Sequence, residues 1–234
     1  GLLLAHFFVS SERITTFKLF MRTVTVRAYL IFKLTLSMVD IPIPILSLSQ
    51  FIAELTNYPN LCWIYRGQAN AEWPLLPKAG RPDFHLPEWQ DENQEHFPPR
   101  DLGRFNHWRQ LAIAYCAELP QDDFQCLAFA QHYGLATRLL DWTTNPLIAL
   151  FFAVDIESDS QGCVFIYCPD GLVNAQVANL ETFPFLAMYT PPPIDKRVLM
   201  QSGVFTYHPK PNSPLVGGPI TDEIGPLRPN HGHN

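Results

Sequence analysis

The sequence predicts an α+β domain, with a mixed and mostly antiparallel β-sheet packed against helices. Three observations predict it. Short apolar runs at 61–65, 162–168 and 204–207 have the length and residue types of strands. Between them lie stretches whose apolar residues recur at helical spacings of three and four. The chain has 234 residues, 47% hydrophobic, which suits a single domain with one sizeable core.

The elements follow in order. Residues after Met38 start as a short extended segment, and Ser49 is placed to cap a helix over 50–57 with Phe51, Ile52 and Leu55 on one face. Residues 61–65 form the first strand, broken by Arg66-Gly67-Gln68. A polar insertion with several prolines occupies 83–100. Phe105, Trp108, Leu111, Ala112, Tyr115 and Leu119 mark a helix stopped by Pro120, and Asp122 or Asp123 caps the next, which ends at Gly134. Asn145-Pro146 launches a third helix over 147–155, apolar nearly all round and therefore expected at the centre. The run GCVFIYC at 162–168 has no polar alternation and reads as a strand buried on both faces. Residues 197–208 read as two strand pieces around Gln201-Ser202-Gly203.

The ends differ from the body. Residues 1–37 hold five basic residues and one acid, a charge of +4, and the remaining residues carry −10. This basic stretch is read as an extension outside the domain, from upstream translation or a targeting-like segment, because charges cut its apolar runs well short of the ~20 residues of a membrane helix. The domain is assigned to 38–208, and the proline-rich residues 209–234 are read as a disordered or truncated tail. An acidic body argues against non-specific nucleic-acid binding. Five cysteines without a C-x-x-C pair and no credible signal peptide point to a reduced, cytoplasmic protein, not a disulfide scaffold. The eight histidines are scattered without ligand spacing, so no metal site is expected.

Chemistry concentrates in two blocks. Arg66 stands at a strand end, where it either pins carbonyls or contacts an anion, and Gly67 would let a ligand approach the backbone. Gln131 is a polar amide on the apolar face of its helix and must find partners; His132 and Tyr133 follow beside Gly134. Arg138 and Asp141, opposite charges three residues apart in an apolar run, read as a buried pair. Trp73 and Trp142 read as packing residues. There is no G-x-S-x-G motif, and no cysteine has an evident histidine partner for thiol catalysis.

Tyr65-Arg66-Gly67-Gln68, Trp73, Pro77 and Arg81, then AQHYGLATRLLDWTTNPLIALFFA at 130–153 and RVLMQSGVFTYHP at 197–209, resemble the FRG domain, named for its (Phe/Tyr)-Arg-Gly motif. The resemblance covers about residues 45–210. Ala136 stands where members of that family usually have proline, and the segment that usually follows the last motif has no counterpart after residue 209. The family is functionally uncharacterised. Its motifs point to a cleft for an anionic, nucleotide-like ligand, with Tyr65, Arg66, Gly67, Gln68, Gln131, His132, Tyr133, Thr143 and Asn145 as ligand contacts. Trp73, Arg81, Arg138, Asp141, Trp142, Arg197, Gln201 and Phe205 are the structural members of the motifs. A strand ending in Tyr-Arg-Gly is also similar to the first motif of ADP-ribosyltransferases, a likeness that implies an enzyme using NAD. Against this, Asp195-Lys196-Arg197 stands where those enzymes carry a catalytic glutamate, and positive charge there opposes a developing oxocarbenium ion. A non-enzymatic protein-interaction module is the third reading.

Overall fold

The computed structural model describes residues 24–29, 40–58, 62–84, 100–116, 118–155, 161–192 and 202–215. In chain order these form β1 (Val24–Tyr29), β2 (Asp40–Ile45), α1 (Leu48–Leu55), β3 (Ile64–Gln68), α2 (Arg100–Ala112), α3 (Asp123–His132), β4 (Leu139–Thr143), α4 (Pro146–Val154), β5 (Gly162–Tyr167), β6 (Ala187–Tyr189) and β7 (Gly203–Tyr207), with a 3-10 turn at Lys78–Gly80. The fold is α+β, and the strands make one sheet in the order β2-β1-β5-β3-β4-β7-β6. From β5 to β6 every pairing is antiparallel, while β1 runs parallel to β5.

The sheet consists of two ladders joined by one rung. β3 pairs with β5 from Ile64↔Tyr167 to Gln68↔Cys163, and β4 pairs with β7 from Leu139↔Tyr207 to Thr143↔Gly203. Between β3 and β4 the single pair is Tyr65↔Thr143. Beyond it the two strands part.

All four helices cover one face. α1 and α4 pack Phe51, Ala149, Leu150 and Ala153 on Tyr65, Val164 and Ile166. α2 and α3 pack Leu102, Phe105, Phe124 and Leu127 on Leu139, Tyr189, Phe205 and Tyr207. The other face carries Ile64, Leu140, Trp142, Cys163 and Phe165 beneath Ala71, Leu75 and Leu215. β5 is buried along its whole length, as its unbroken apolar run predicts.

Local chemistry sets the helix ends. The Ser47 side chain, not Ser49, caps α1 by accepting from the Gln50 N–H at 3.1 Å, while the Gln50 side chain returns to accept from Leu46 N–H at 2.8 Å. This is a variant of the capping box with the return bond one residue before the cap, and Ser47-Leu48-Ser49-Gln50 has its Ser-x-x-Gln pattern. Asp122 caps α3, accepting from Gln125 N–H at 2.7 Å, and Gly134 ends it at φ +95°, a conformation that costs glycine little. α2 stops at Ala112 instead of running on to Leu119, and Leu111, Ile113 and Tyr115 are exposed. The periodicity there continued past the point where the helix leaves the core.

α4 sits unusually close to the sheet. A Cβ on Gly67 would overlap the Ala149 carbonyl oxygen and lie 2.7 Å from Ala153 N, and one on Gly162 would overlap the Ala153 carbonyl. The missing Cβ of Gly67 therefore makes room for α4. Nor is α4 buried all round. Ala149, Leu150 and Ala153 face the sheet, whereas Leu147, Phe151 and Phe152 are exposed.

Residues on either side of 38–208 also contact the sheet and its loops. Val24–Tyr29 lies in the stretch read as an extension, yet it pairs with β5 and β2, so the sheet reaches past residue 38. Its Val-Thr-Val-Arg-Ala-Tyr sequence holds the β-branched and aromatic residues of a strand. Residues 209–215 dock on the sheet: Leu215 N–H donates to Leu75 O at 3.0 Å, and Gly80 leaves no room for a Cβ beside the Pro211 carbonyl. Arg197 and Gln201 lie outside the described residues.

Arg138 does not pair with Asp141. Its side chain is 2% exposed and forms a two-pronged salt bridge to Asp101 of α2, Nη2 to Oδ1 at 2.6 Å and Nε to Oδ2 at 2.7 Å. Nη1 donates to Tyr207 Oη at 3.0 Å and to the Pro209 carbonyl at 3.3 Å. Burial alone would lower the pKa of Arg138, but the Asp101 carboxylate and Tyr207 outweigh it and hold the guanidinium charged. The correction follows from strand geometry, because residues three apart along extended chain point to opposite sides.

Two stability outcomes follow. Gly67→Ala should lower stability by at least about 1–3 kcal/mol, the usual cost of overpacking, because the obstruction is backbone and cannot turn aside. Arg138→Ala should cost about 3–5 kcal/mol by stranding Asp101. Urea unfolding followed by tryptophan fluorescence measures both, and wild-type midpoints would contradict the packing described.

Candidate functional site

Where β3 and β4 part, a cavity of about 370 Å³ opens on the helical face. Consecutive residues of the two strands, Tyr65-Arg66-Gly67 and Asp141-Trp142-Thr143, line it. Gly203, Val204 and Phe205 of β7, Ala128 and His132 of α3, Ile148, Ala149 and Phe152 of α4, and Pro191 complete the wall. The lining combines aromatic and aliphatic residues with Arg66, Asp141 and His132.

Arg66 spans the gap between the strands. Its Nη1 donates to the backbone carbonyl of Asp141 at 2.7 Å, using an acceptor that the interrupted ladder leaves open, and its Nε donates to Gln68 Oε1 at 3.4 Å. Burial lowers the pKa of the Arg66 guanidinium; the Asp141 carboxylate opposes that change and the Arg81 charge reinforces it. Arginine keeps its proton at any physiological pH, so the consequence is a partly desolvated cation that gains from a nearby anion.

Asp141 is held by a relay. Leu139 N–H donates to Thr137 Oγ1 at 3.1 Å, Thr137 Oγ1 donates to Gln131 Oε1, and Gln131 Nε2 donates to Asp141 Oδ1 at 2.8 Å. The amide on the apolar face of α3 thus finds its partners in a β4 carboxylate and a threonine. The Asp141 side chain is exposed at the cleft, where a carboxylate is an acceptor for hydroxyl or amino groups. Burial raises the pKa of the Tyr65 phenol, which stays a neutral donor.

The remaining expected contacts scatter. Gln68 is buried outside the cleft and donates to the Trp73 carbonyl at 3.0 Å. Asn145 accepts from Leu147 N–H at 3.0 Å as the cap of α4, and its own N–H donates to Thr143 Oγ1 at 3.0 Å. Tyr133 is exposed and packs against Phe129 and His132, outside the lining. Trp73, read as a packing residue, is exposed, whereas Trp142 is buried. Arg81 donates to the Leu76 carbonyl at 3.4 Å.

Ile148 and Phe152 were missed, although their four-residue spacing on α4 placed them on one side of the helix. His208, behind Arg66, was also missed. It is buried, and burial together with the Arg66 charge presses its pKa down to about 3. Trp142 Nε1 donates to Thr206 Oγ1 at 2.9 Å, and Thr206 Oγ1 lies 3.0 Å from His208 Nε2. With the imidazole neutral, the Thr206 hydroxyl accepts from Trp142 and donates a hydrogen bond to Nε2, which satisfies all three groups.

Comparison with known proteins adds one finding. Residues 62–162 match the family model of the FRG domain. Over this segment the chain is similar to the FRG domain. No curated protein and no solved structure matches the chain. The match runs from just before β3 to the first residue of β5, so the matched segment supplies both strands that part, the Asp141 relay and α4. Pro191 and the β7 residues of the cleft wall lie beyond it. Among the described residues no helix is long and apolar enough to cross a membrane.

His208 makes stability depend on pH. Above its ordinary pKa of 6.5 both folded and unfolded chains carry it neutral. Between 6.5 and about 3 the unfolded chain takes a proton that the folded one refuses, so acidification removes stability through this window. The slope from this residue is at most about 1.4 kcal/mol per pH unit. Urea midpoints at a series of pH values should fall on acidification, and His208→Gln should flatten the fall; an unchanged slope would contradict the buried neutral imidazole.

Proposed function

We propose that the cleft binds a small anionic, nucleotide-like molecule. Arg66 meets the phosphate, Asp141 accepts from sugar hydroxyls, and Tyr65, Phe152 and Phe205 face the planar base. The observation that carries this reading is Arg66 itself, a partly desolvated guanidinium at the break in the sheet, with a second guanidinium acting on it and a single carboxylate opposing. A bound phosphate offsets that cost through charge-assisted hydrogen bonds. The volume is at the lower end of the ~300–1,000 Å³ of small-molecule sites, which favours a mononucleotide over a dinucleotide.

An ADP-ribosyltransferase-like fold has no matching solved structure behind it, and Asp195, Lys196 and Arg197 lie outside the described residues. The reading as a protein-interaction module has one observation in its favour: Leu147, Phe151 and Phe152 are exposed on α4 beside the cleft.

Thermal melts and calorimetric titrations of the full chain with AMP, ADP and NAD test the proposal. A mononucleotide should raise Tm, and Arg66→Ala should weaken its binding about tenfold or more, the loss expected for a charge-assisted contact. The same substitution should destabilise the unliganded chain by only about 1 kcal/mol, since it frees one carbonyl at the gap. If no nucleotide shifts Tm at millimolar concentration, the proposal fails; tighter binding of NAD than of AMP would favour the enzyme reading.

A further inference from the structure

The cysteines differ in setting: Cys126 and Cys163 are buried, Cys116 and Cys168 half-buried, and Cys62 exposed. The β3–β5 ladder ends at the pair Ile64↔Tyr167. Just past that pair, Cys62 lies two residues before the start of β3 and Cys168 one residue after the end of β5, so the antiparallel ladder brings both cysteines to the same end of the sheet, where Cys62 acts on the Cys168 thiol. They sit at the open end of the ladder, away from the residues that line the cleft.

We infer that Cys62 and Cys168 are a redox-active dithiol that forms a reversible disulfide across the end of the β3–β5 ladder by exchange with a low-molecular-weight disulfide such as glutathione disulfide. The exposed Cys62 is the thiol that such a molecule reaches first. Its thiolate attacks one sulfur of the small disulfide, forms a mixed disulfide and expels one small thiolate. Cys168 then gives its proton to solvent and attacks Cys62 Sγ, which forms the Cys62–Cys168 bond and releases the second small thiolate. Two protein thiols are oxidised by two electrons, and the small disulfide is reduced to two thiols. Burial, together with Cys62 and Asp170, raises the pKa of Cys168, so the first attack falls to the exposed Cys62 and Cys168 acts once the mixed disulfide is beside it. The bond would tie β5 to β3 just ahead of Tyr65-Arg66-Gly67 and so brace the strand that forms one wall of the cleft.

The full chain is equilibrated in glutathione buffers from fully reducing to strongly oxidising, trapped with N-ethylmaleimide and digested for mass spectrometry. The expected product is a peptide pair joined through Cys62 and Cys168, lighter by two hydrogens than the reduced pair, which grows with glutathione disulfide and is reversed by dithiothreitol. Its formation should raise Tm by about 5 °C or more, because the bond closes a long loop. Cys62→Ser, a change at an exposed position, should leave the reduced Tm in place and abolish both the linked pair and the oxidative shift. Complete alkylation of Cys62 and Cys168 at the oxidising limit, or Cys62 trapped only as its glutathione adduct, would overturn the inference. Neither outcome bears on nucleotide binding, which is measured on reduced chain.

Discussion

The single rung between β3 and β4 is the constraint on which the site depends. Each strand is committed elsewhere: β3 to β5 over five residue pairs and to α4 through the bare backbone of Gly67, β4 to β7 over another five. They meet only at Tyr65↔Thr143. Parting strands in a sheet interior leave backbone groups without their ladder partners, and such groups must be satisfied or hydrated. Arg66 answers part of that requirement by reaching across to the Asp141 carbonyl, which places a charged side chain where an ordinary sheet would be closed. The break, the arginine and the cavity are thus one feature.

The two arginines of the family motifs divide along this line. Arg138 is enclosed, and its carboxylate, phenol and carbonyl partners account for most of its donors, so its charge serves to join α2 to β4 and β7. Arg66 makes fewer bonds, holds no direct salt bridge among the described residues and borders open space. Buried ion pairs are weak sources of net stability but are costly to break, whereas a half-satisfied guanidinium at a cavity is available to a ligand. Similar residue types in similar apolar surroundings therefore have different consequences.

Much of the scaffold was legible in the sequence because its signals are local. The Asn145-Pro146 start of α4, the Gly134 end of α3 and the unbroken apolar run of β5 each act within a few residues. What was not legible rests on contacts between distant segments. The partner of Arg138 is Asp101, 37 residues away, a pairing that no spacing rule supplies. That Ala149 and Ala153 press against Gly67 is likewise not shown by anything in Tyr-Arg-Gly-Gln. Residues 209–215 lack periodicity, yet they are held by Leu75 and Gly80, because docking through a few prolines and one leucine leaves no periodic trace. Within the cleft, Arg66, His132 and Thr143 stand among the expected residues, while Gln68, Tyr133 and Asn145 are drawn away by a loop carbonyl, an aromatic cluster and a helix cap.

The proposed recognition of a ligand at the break in the sheet is tested most directly by hydrogen exchange of the full chain with and without millimolar AMP. Amides of 65–68 and 141–143, at the edges of the break, should exchange more slowly when the nucleotide is present, with little change along β5, where the ladder is already complete. Unchanged exchange at both edges, with protection confined to the exposed side of α4 or to residues 209–215, would contradict it.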